Sequence, residues 1–216
     1  MKQKYYIDLH KGATFIYILF LMYFFSDCVS NQSNNNIAIY VYLALHGTYG
    51  ILWILKSKIY PDKQWESKCS VWYGLLIWVG LSLYWIAPYI ILTKNIPNNI
   101  SPSNWYIAIC ISMYIFGIFF HFTSDMQKFI QLKYNPNHLI TDNMFSRIRN
   151  INYLGELLIY LGFSLLALSW IPIIALILFI IIIWIPNMIK KDKSLSRYDE
   201  FSDYKKNTNL LFPFIW

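Results

Sequence analysis

The chain of 216 residues is 57% apolar and only 13% charged, with 19% aromatic residues and a mean hydropathy of +0.39. A soluble domain carries about 25% charged residues, so this composition excludes an ordinary soluble protein and points to an integral membrane chain. The net charge of +7 requires no nucleic-acid partner, because basic loops facing an anionic inner leaflet give the same excess.

Several apolar runs approach the roughly 20 residues that cross a bilayer as a helix, the form that satisfies its own backbone in lipid. Six spans are predicted, over Ala13–Val29, Ile37–Leu55, Val71–Leu92, Trp105–Phe122, Tyr153–Ser169 and Pro172–Ile189. The first ends in "SDCVSNQ" rather than a small-residue cleavage site, so it is expected to be retained. "NQSNNN" at 31–36 predicts a short polar outer turn. The last two spans are short and meet at Trp170 and Ile171; paired spans are expected there, with a shallow hairpin as the alternative.

Basic residues collect in cytoplasmic loops. From the N-terminus the seven extramembrane segments hold three, none, four, one, four, none and six of the 18 lysines and arginines. This alternation predicts cytoplasmic termini and cytoplasmic loops at Lys56–Lys68 and Thr123–Asn152. The expectation is a single all-α polytopic membrane domain over 1–216, its loop and C-terminal tail forming a cytoplasmic cap. The pattern fits a bacterial inner membrane or an endoplasmic reticulum equally. Cys28, Cys69 and Cys110 show no paired spacing, and no metal site is predicted.

Unusual polarity concentrates in the loop "HFTSDMQKFIQLKYNPNHLITDNMFSRIRNINYLGE" and the tail "KKDKSLSRYDEFSDYKKNTNLLFPFIW". If a helix begins near Asn150, then Arg149, Asn152, Tyr153 and Glu156 follow the spacing i, i+3, i+4, i+7 and share one face. Such a face suits a charged ligand rich in hydroxyls, the arginine reaching a phosphate. Snorkelling and interfacial anchoring account for Tyr and Arg at a membrane edge, and Asn caps helices. Glu156 fits that account less well, because an acid near the bilayer centre costs about 2.5 to 3.5 kcal/mol and usually marks function. In the second span, "LALHGTYGILWILK" puts His46, Tyr49 and Gly50 on one side. His46 is either a structural hydrogen-bonder or, with Tyr49, a proton donor to a buried substrate. Asp27 and His121 lie near span ends and receive no role.

"SDMQKFIQLK", "LITDNMFSRIRNINYLGELLIYLGFSLLA" and "SLSRYDEFSDYKKNTNLLFPFIW" together resemble the C-terminal region of the steroid 5-alpha-reductase-like membrane proteins, over about Ser124 to Trp216. The match runs through Arg149–Glu156, with Ile151 where the family usually has proline, and through Arg197, Tyr198, Glu200, Phe201, Tyr204 and Pro213, with Asp199 and Phe201 in place of proline and tryptophan. The resemblance implies a multi-helix reductase that binds NADPH and reduces a carbon-carbon double bond conjugated to a carbonyl in a lipid substrate from the bilayer. By that analogy Asp125, Lys128, Arg149, Asn152, Tyr153, Glu156, Asp192, Arg197 and Tyr204 shape the cofactor site. The nicotinamide would supply hydride while a protein acid polarises the carbonyl. The family draws that acid from a glutamate and a tyrosine in earlier helices. The early spans here contain no glutamate, so Tyr49, supported by His46, is the substitute. No Gly-rich dinucleotide loop is present.

Isoprenylcysteine carboxyl methyltransferases and related phospholipid methyltransferases share an Arg-His-Pro-x-Tyr-x-Gly element, which Arg149, Tyr153 and Gly155 also fit. They bind S-adenosylmethionine, and this is the alternative function. Asn152, Glu156 and "SDMQK" favour the reductase. A non-catalytic lipid-binding or scaffold protein of the same fold is the third possibility, because fold does not fix function.

Overall fold

The computed structural model describes residues 1–26, 36–93 and 102–212. Cys28, most of the "NQSNNN" turn and Pro213 therefore lie outside the described residues. The protein is an all-α polytopic membrane protein: helices follow one another along the chain, and among the described residues no strand forms.

The helices are α1 (Gln3–Phe24), α2 (Ile37–Ile59), α3 (Val71–Thr93), α4 (Asn104–Tyr134), α5 (Ile151–Ser164), α6 (Trp170–Leu195) and the short α7 (Phe201–Asn207). α1 to α4 and α6 are each long and apolar enough to cross a membrane. α5, extended by a 3-10 turn to Ala167, is a shorter apolar helix. At 1.5 Å per residue it reaches about 25 Å, somewhat less than a hydrocarbon core of about 30 Å.

Two boundaries differ from expectation by ten residues or more, each for an identifiable reason. α1 begins at Gln3 rather than near Ala13, because His10, Lys11 and Thr14 are buried inside the protein and spared contact with lipid. α4 continues twelve residues past Phe122 and makes "SDMQK" helical; neither Gly nor Pro interrupts the chain before Pro136. The α5–α6 reversal occurs at Leu168, whose φ of 45° is a left-handed conformation for a branched residue.

The chain forms two compact units. The first comprises Met1–Tyr114 and Leu161–Ala175. α2 is its inner helix, with 50% of its apolar window buried against 22% for α3. Gly50 lets α2 approach α1 so closely that a Cβ there would collide with the Lys11 carbonyl. The start of α1 is tied to the following loop by Gln3 N–H to Ser67 O (3.0 Å) and Lys4 N–H to Trp65 O (2.9 Å). Lys2 and Lys4 both donate to Glu66 and hold its carboxyl below the usual range.

The second unit comprises Ile115–Tyr160 and Leu176–Trp216. α4 and α5 cross here at Gly117 and Gly155, where a Cβ on Gly155 would strike the backbone of His121 and Gly117. Small residues at such crossings let membrane helices pack backbone to backbone. The loop after α4 is gathered by Asp142, whose carboxylate accepts from Gln127 Nε2 (3.2 Å) and Gln131 Nε2 (3.0 Å).

Candidate functional site

The motif "RNINYLGE" lies in the second unit at the start of α5. Asn150 sits just before the helix, its carbonyl accepting from the N–H groups of Tyr153 (3.0 Å) and Leu154 (3.2 Å). Ile151 takes the first helical position and is buried, so the helix starts without the family's proline. The preceding strip pairs with the tail: Arg149 N–H donates to Asn209 O (2.9 Å) and Asn209 N–H donates to Arg147 O (2.9 Å).

Arg149 is the centre of this arrangement. Its guanidinium is buried and grips Asp192 through Nε to Oδ1 (3.3 Å) and Nη2 to Oδ2 (3.1 Å). Nη1 donates to Thr208 Oγ1 (3.1 Å) and to the carbonyls of Thr208 and Lys205. Lys191 Nζ donates to the Arg149 carbonyl (2.8 Å) and to Asn150 Oδ1 (3.0 Å), while Asn150 Nδ2 donates to Leu210 O (3.0 Å). Tyr204 adds a buried bond from its hydroxyl to Phe145 O (2.7 Å), and burial raises its phenol well above the ordinary range. Arg149, Asp192 and Tyr204 thus come together, but as a clamp that fixes the tail to the strip before α5.

Asp125, Lys128, Arg149 and Asp192 all lie within the charge environment of Lys191. Asp125 is buried on α4, its Oδ2 3.9 Å from Nε2 of the equally buried His121. His121 Nδ1 donates to Asn152 O (3.2 Å), joining α4 to α5. Asn152 Oδ1 is buried and accepts no hydrogen bond among the described residues. Tyr153 packs its ring 5.6 Å from Trp184, and Glu156 is half-buried on the same helix. Arg197 is exposed and engages its own segment, through Ser194 Oγ (3.0 Å) and Tyr198 Oη (3.1 Å).

Tyr49 and His46 belong to the first unit, and both are buried. His46 lies in a π-helical stretch, Leu43–Gly47, of the kind that often marks functional sites. Its Nδ1 is 2.7 Å from the hydroxyl of Tyr42, which donates to Tyr84 O (3.2 Å), and its ring stacks on Phe163 at 4.1 Å. Tyr49 receives Lys11 Nζ over its ring at 4.2 Å. The same ammonium lies 4.4 Å from the Trp53 ring, which Lys56 Nζ also approaches at 4.7 Å. His10 stacks on Trp85 at 4.4 Å, and Trp85 Nε1 donates to Thr14 Oγ1 (2.9 Å).

Sequence reasoning missed Lys11, His10, Tyr42, Asn150, Lys191 and Thr208. A signal existed for His121, four residues before Asp125 on a helix. None existed for Thr208, whose role depends on a contact 59 residues away.

A family profile described as 3-oxo-5-alpha-steroid 4-dehydrogenase matches residues 81–216. No curated protein and no solved structure matches the chain. The matched residues make up more than half of the chain and include the clamp, the His121–Asp125 pair and the whole of α5 and α6. The chain therefore belongs to the 3-oxo-5-alpha-steroid 4-dehydrogenase family and is a multi-pass membrane oxidoreductase of the steroid-reductase kind.

Proposed function

We propose that the protein uses NADPH to reduce a carbon-carbon double bond conjugated to a carbonyl in a lipid or steroid-like substrate taken from the bilayer. The observation that carries the cofactor assignment is the buried Asn152 Oδ1, on the residue whose backbone carbonyl accepts from His121 of the His121–Asp125 pair. A buried acceptor without a donor costs about 1–3 kcal/mol, and a carboxamide N–H or a ribose hydroxyl would relieve it. The polar side chains of Asp125, Lys128, Asn152 and Glu156 suit the hydroxyl, amide and phosphate groups of a dinucleotide. The cofactor, when bound, supplies hydride.

The chain's own residues divide the remaining work. Asn152 and Asp125 orient the dinucleotide, with His121 fixing the Asn152 backbone. Arg149 acts from behind, holding Asp192 and the tail in place. Its N–H groups are largely engaged within the chain, which assigns it a positioning role rather than direct contact with a phosphate. Tyr49, with His46, is the proposed proton donor to the substrate carbonyl; in a dry interior such a donor stabilises the charge that develops on oxygen.

Two variants test this reading. Asn152→Leu should weaken NADPH binding at least about tenfold, the usual cost of losing one buried hydrogen bond, with the helical circular dichroism retained. Unaltered affinity would remove Asn152 from the site. Tyr49→Phe should lower turnover by about 10²-fold or more, as expected for loss of a general acid, with NADPH affinity unchanged. Normal turnover would eliminate Tyr49 as the donor.

A further inference from the structure

The second unit contains a cleft of about 620 Å³, within the range of small-molecule sites. Part of its lining is a single face at the end of α6, where Ile189, Asp192 and Lys193, and Ser196 just past the last turn, follow the spacing i, i+3, i+4, i+7. Phe201 and Lys205, one turn apart on α7, line it as well, together with Arg149 and the stretch Thr208, Asn209 and Leu210. The charges are unequal. The Asp192 carboxylate is covered by the Arg149 guanidinium, whereas Lys193 and Lys205 are exposed and their ammonium groups make no ion pair among the described residues.

The apolar part of the cleft continues a lipid-facing surface. Ile181, Ile182 and Ile183 of α6 are exposed, and Ile189 is 58% exposed where that band ends. Lys193 follows one turn later, about 6 Å further along the helix axis. A cation one turn beyond an isoleucine band matches the step from acyl-glycerol junction to phosphate in a phospholipid. Basic clusters just outside a membrane helix commonly hold anionic lipid headgroups.

We propose that this cleft binds an anionic phospholipid, with its phosphate between Lys193 and Lys205 and its glycerol-acyl junction against Ile189 and Leu210. The lipid bridges α6 and α7 and so reinforces, from the membrane side, the attachment that Arg149 makes through Asp192 and Thr208. A free dinucleotide would use the lysines but leave Ile189 without an apolar partner. Arg149 and Asp192 also line this cleft, and the resemblance gives both to the cofactor site, so competition with NADPH distinguishes a failure of this proposal from a failure of the cofactor reading.

The test uses the full chain in neutral detergent, with phosphatidylglycerol, phosphatidylcholine, inorganic phosphate or NADPH added separately and binding read by native mass spectrometry and thermal shift. Phosphatidylglycerol should bind and raise the melting temperature, and saturating NADPH should not displace it. The double variant Lys193→Gln, Lys205→Gln should bind it about thirtyfold more weakly, five- to sixfold for each lysine. Lys193→Arg, Lys205→Arg should retain binding, which separates charge from folding. Equal binding of phosphatidylcholine, full binding by the glutamine variant or loss of binding by the arginine variant would overturn the proposal. Displacement by NADPH or inorganic phosphate would assign the cleft to a soluble phosphate compound instead.

Discussion

The two units keep polar side chains in an apolar interior by different means. In the second, polar groups bond to one another and to the backbone: Arg149 to Asp192, Thr208 and Lys205 O, Lys191 to Arg149 O, and Asn150 to Leu210 O. In the first, they lie mainly against aromatic rings, Lys11 over Tyr49 and Trp53, Lys56 over Trp53, His10 on Trp85 and His46 on Phe163, with a side-chain hydrogen bond from each histidine, to Ser82 Oγ and to the Tyr42 hydroxyl respectively. The hydrogen-bonded scheme is directional and all-or-none, since each removed partner strands another. The aromatic scheme is more forgiving, because a ring face accepts an apolar chain as readily as a cation.

The sharpest way to break this comparison is Arg149→Ala. It strands the Asp192 carboxylate, whose side chain is only 12% exposed, and releases the tail, and should cost about 3 kcal/mol, the low end for a broken buried pair, with proteolysis of the tail accelerated. Stability close to that of the parent would mean that the clamp contributes little. Lys11→Met is the matching change in the first unit. It removes two cation-π contacts worth about 2 kcal/mol when desolvated but also the cost of a buried charge, so the net loss should stay below about 2 kcal/mol. A loss equal to that of Arg149→Ala would erase the distinction. Tyr204→Phe is the mildest: removing the hydroxyl that donates to Phe145 O should lower stability by about 0.5–1.5 kcal/mol, measured by denaturant titration in detergent. An increase in stability would show that the hydroxyl is a burden where it lies.

The helices were legible because apolar runs of membrane length are rare outside membranes, and the predicted positions of α2 and α3 fall within a few residues of the observed ones. α1 was legible only in its lipid-facing half, because hydropathy cannot tell a polar residue in water from one buried among tryptophans, as His10 and Lys11 are. The α5 motif was legible from spacing and resemblance. Its function as a clamp was not, because Arg149 closes on Asp192 and Thr208, 43 and 59 residues away. Only the fold brings such partners together. Arg197 illustrates the converse: it matches the family's tail, yet its guanidinium engages Ser194 and Tyr198 beside it.

NADPH binding by the polar cluster around α5 is the proposal on which the proposed reaction depends. Thermal unfolding of the purified, detergent-solubilised chain with NADPH or S-adenosylmethionine tests it most directly, since a ligand that binds the folded state alone stabilises it by about 2.7 kcal/mol at 100 times its Kd. The melting temperature should rise with NADPH and stay unchanged with S-adenosylmethionine. Stabilisation by S-adenosylmethionine without any by NADPH would contradict it.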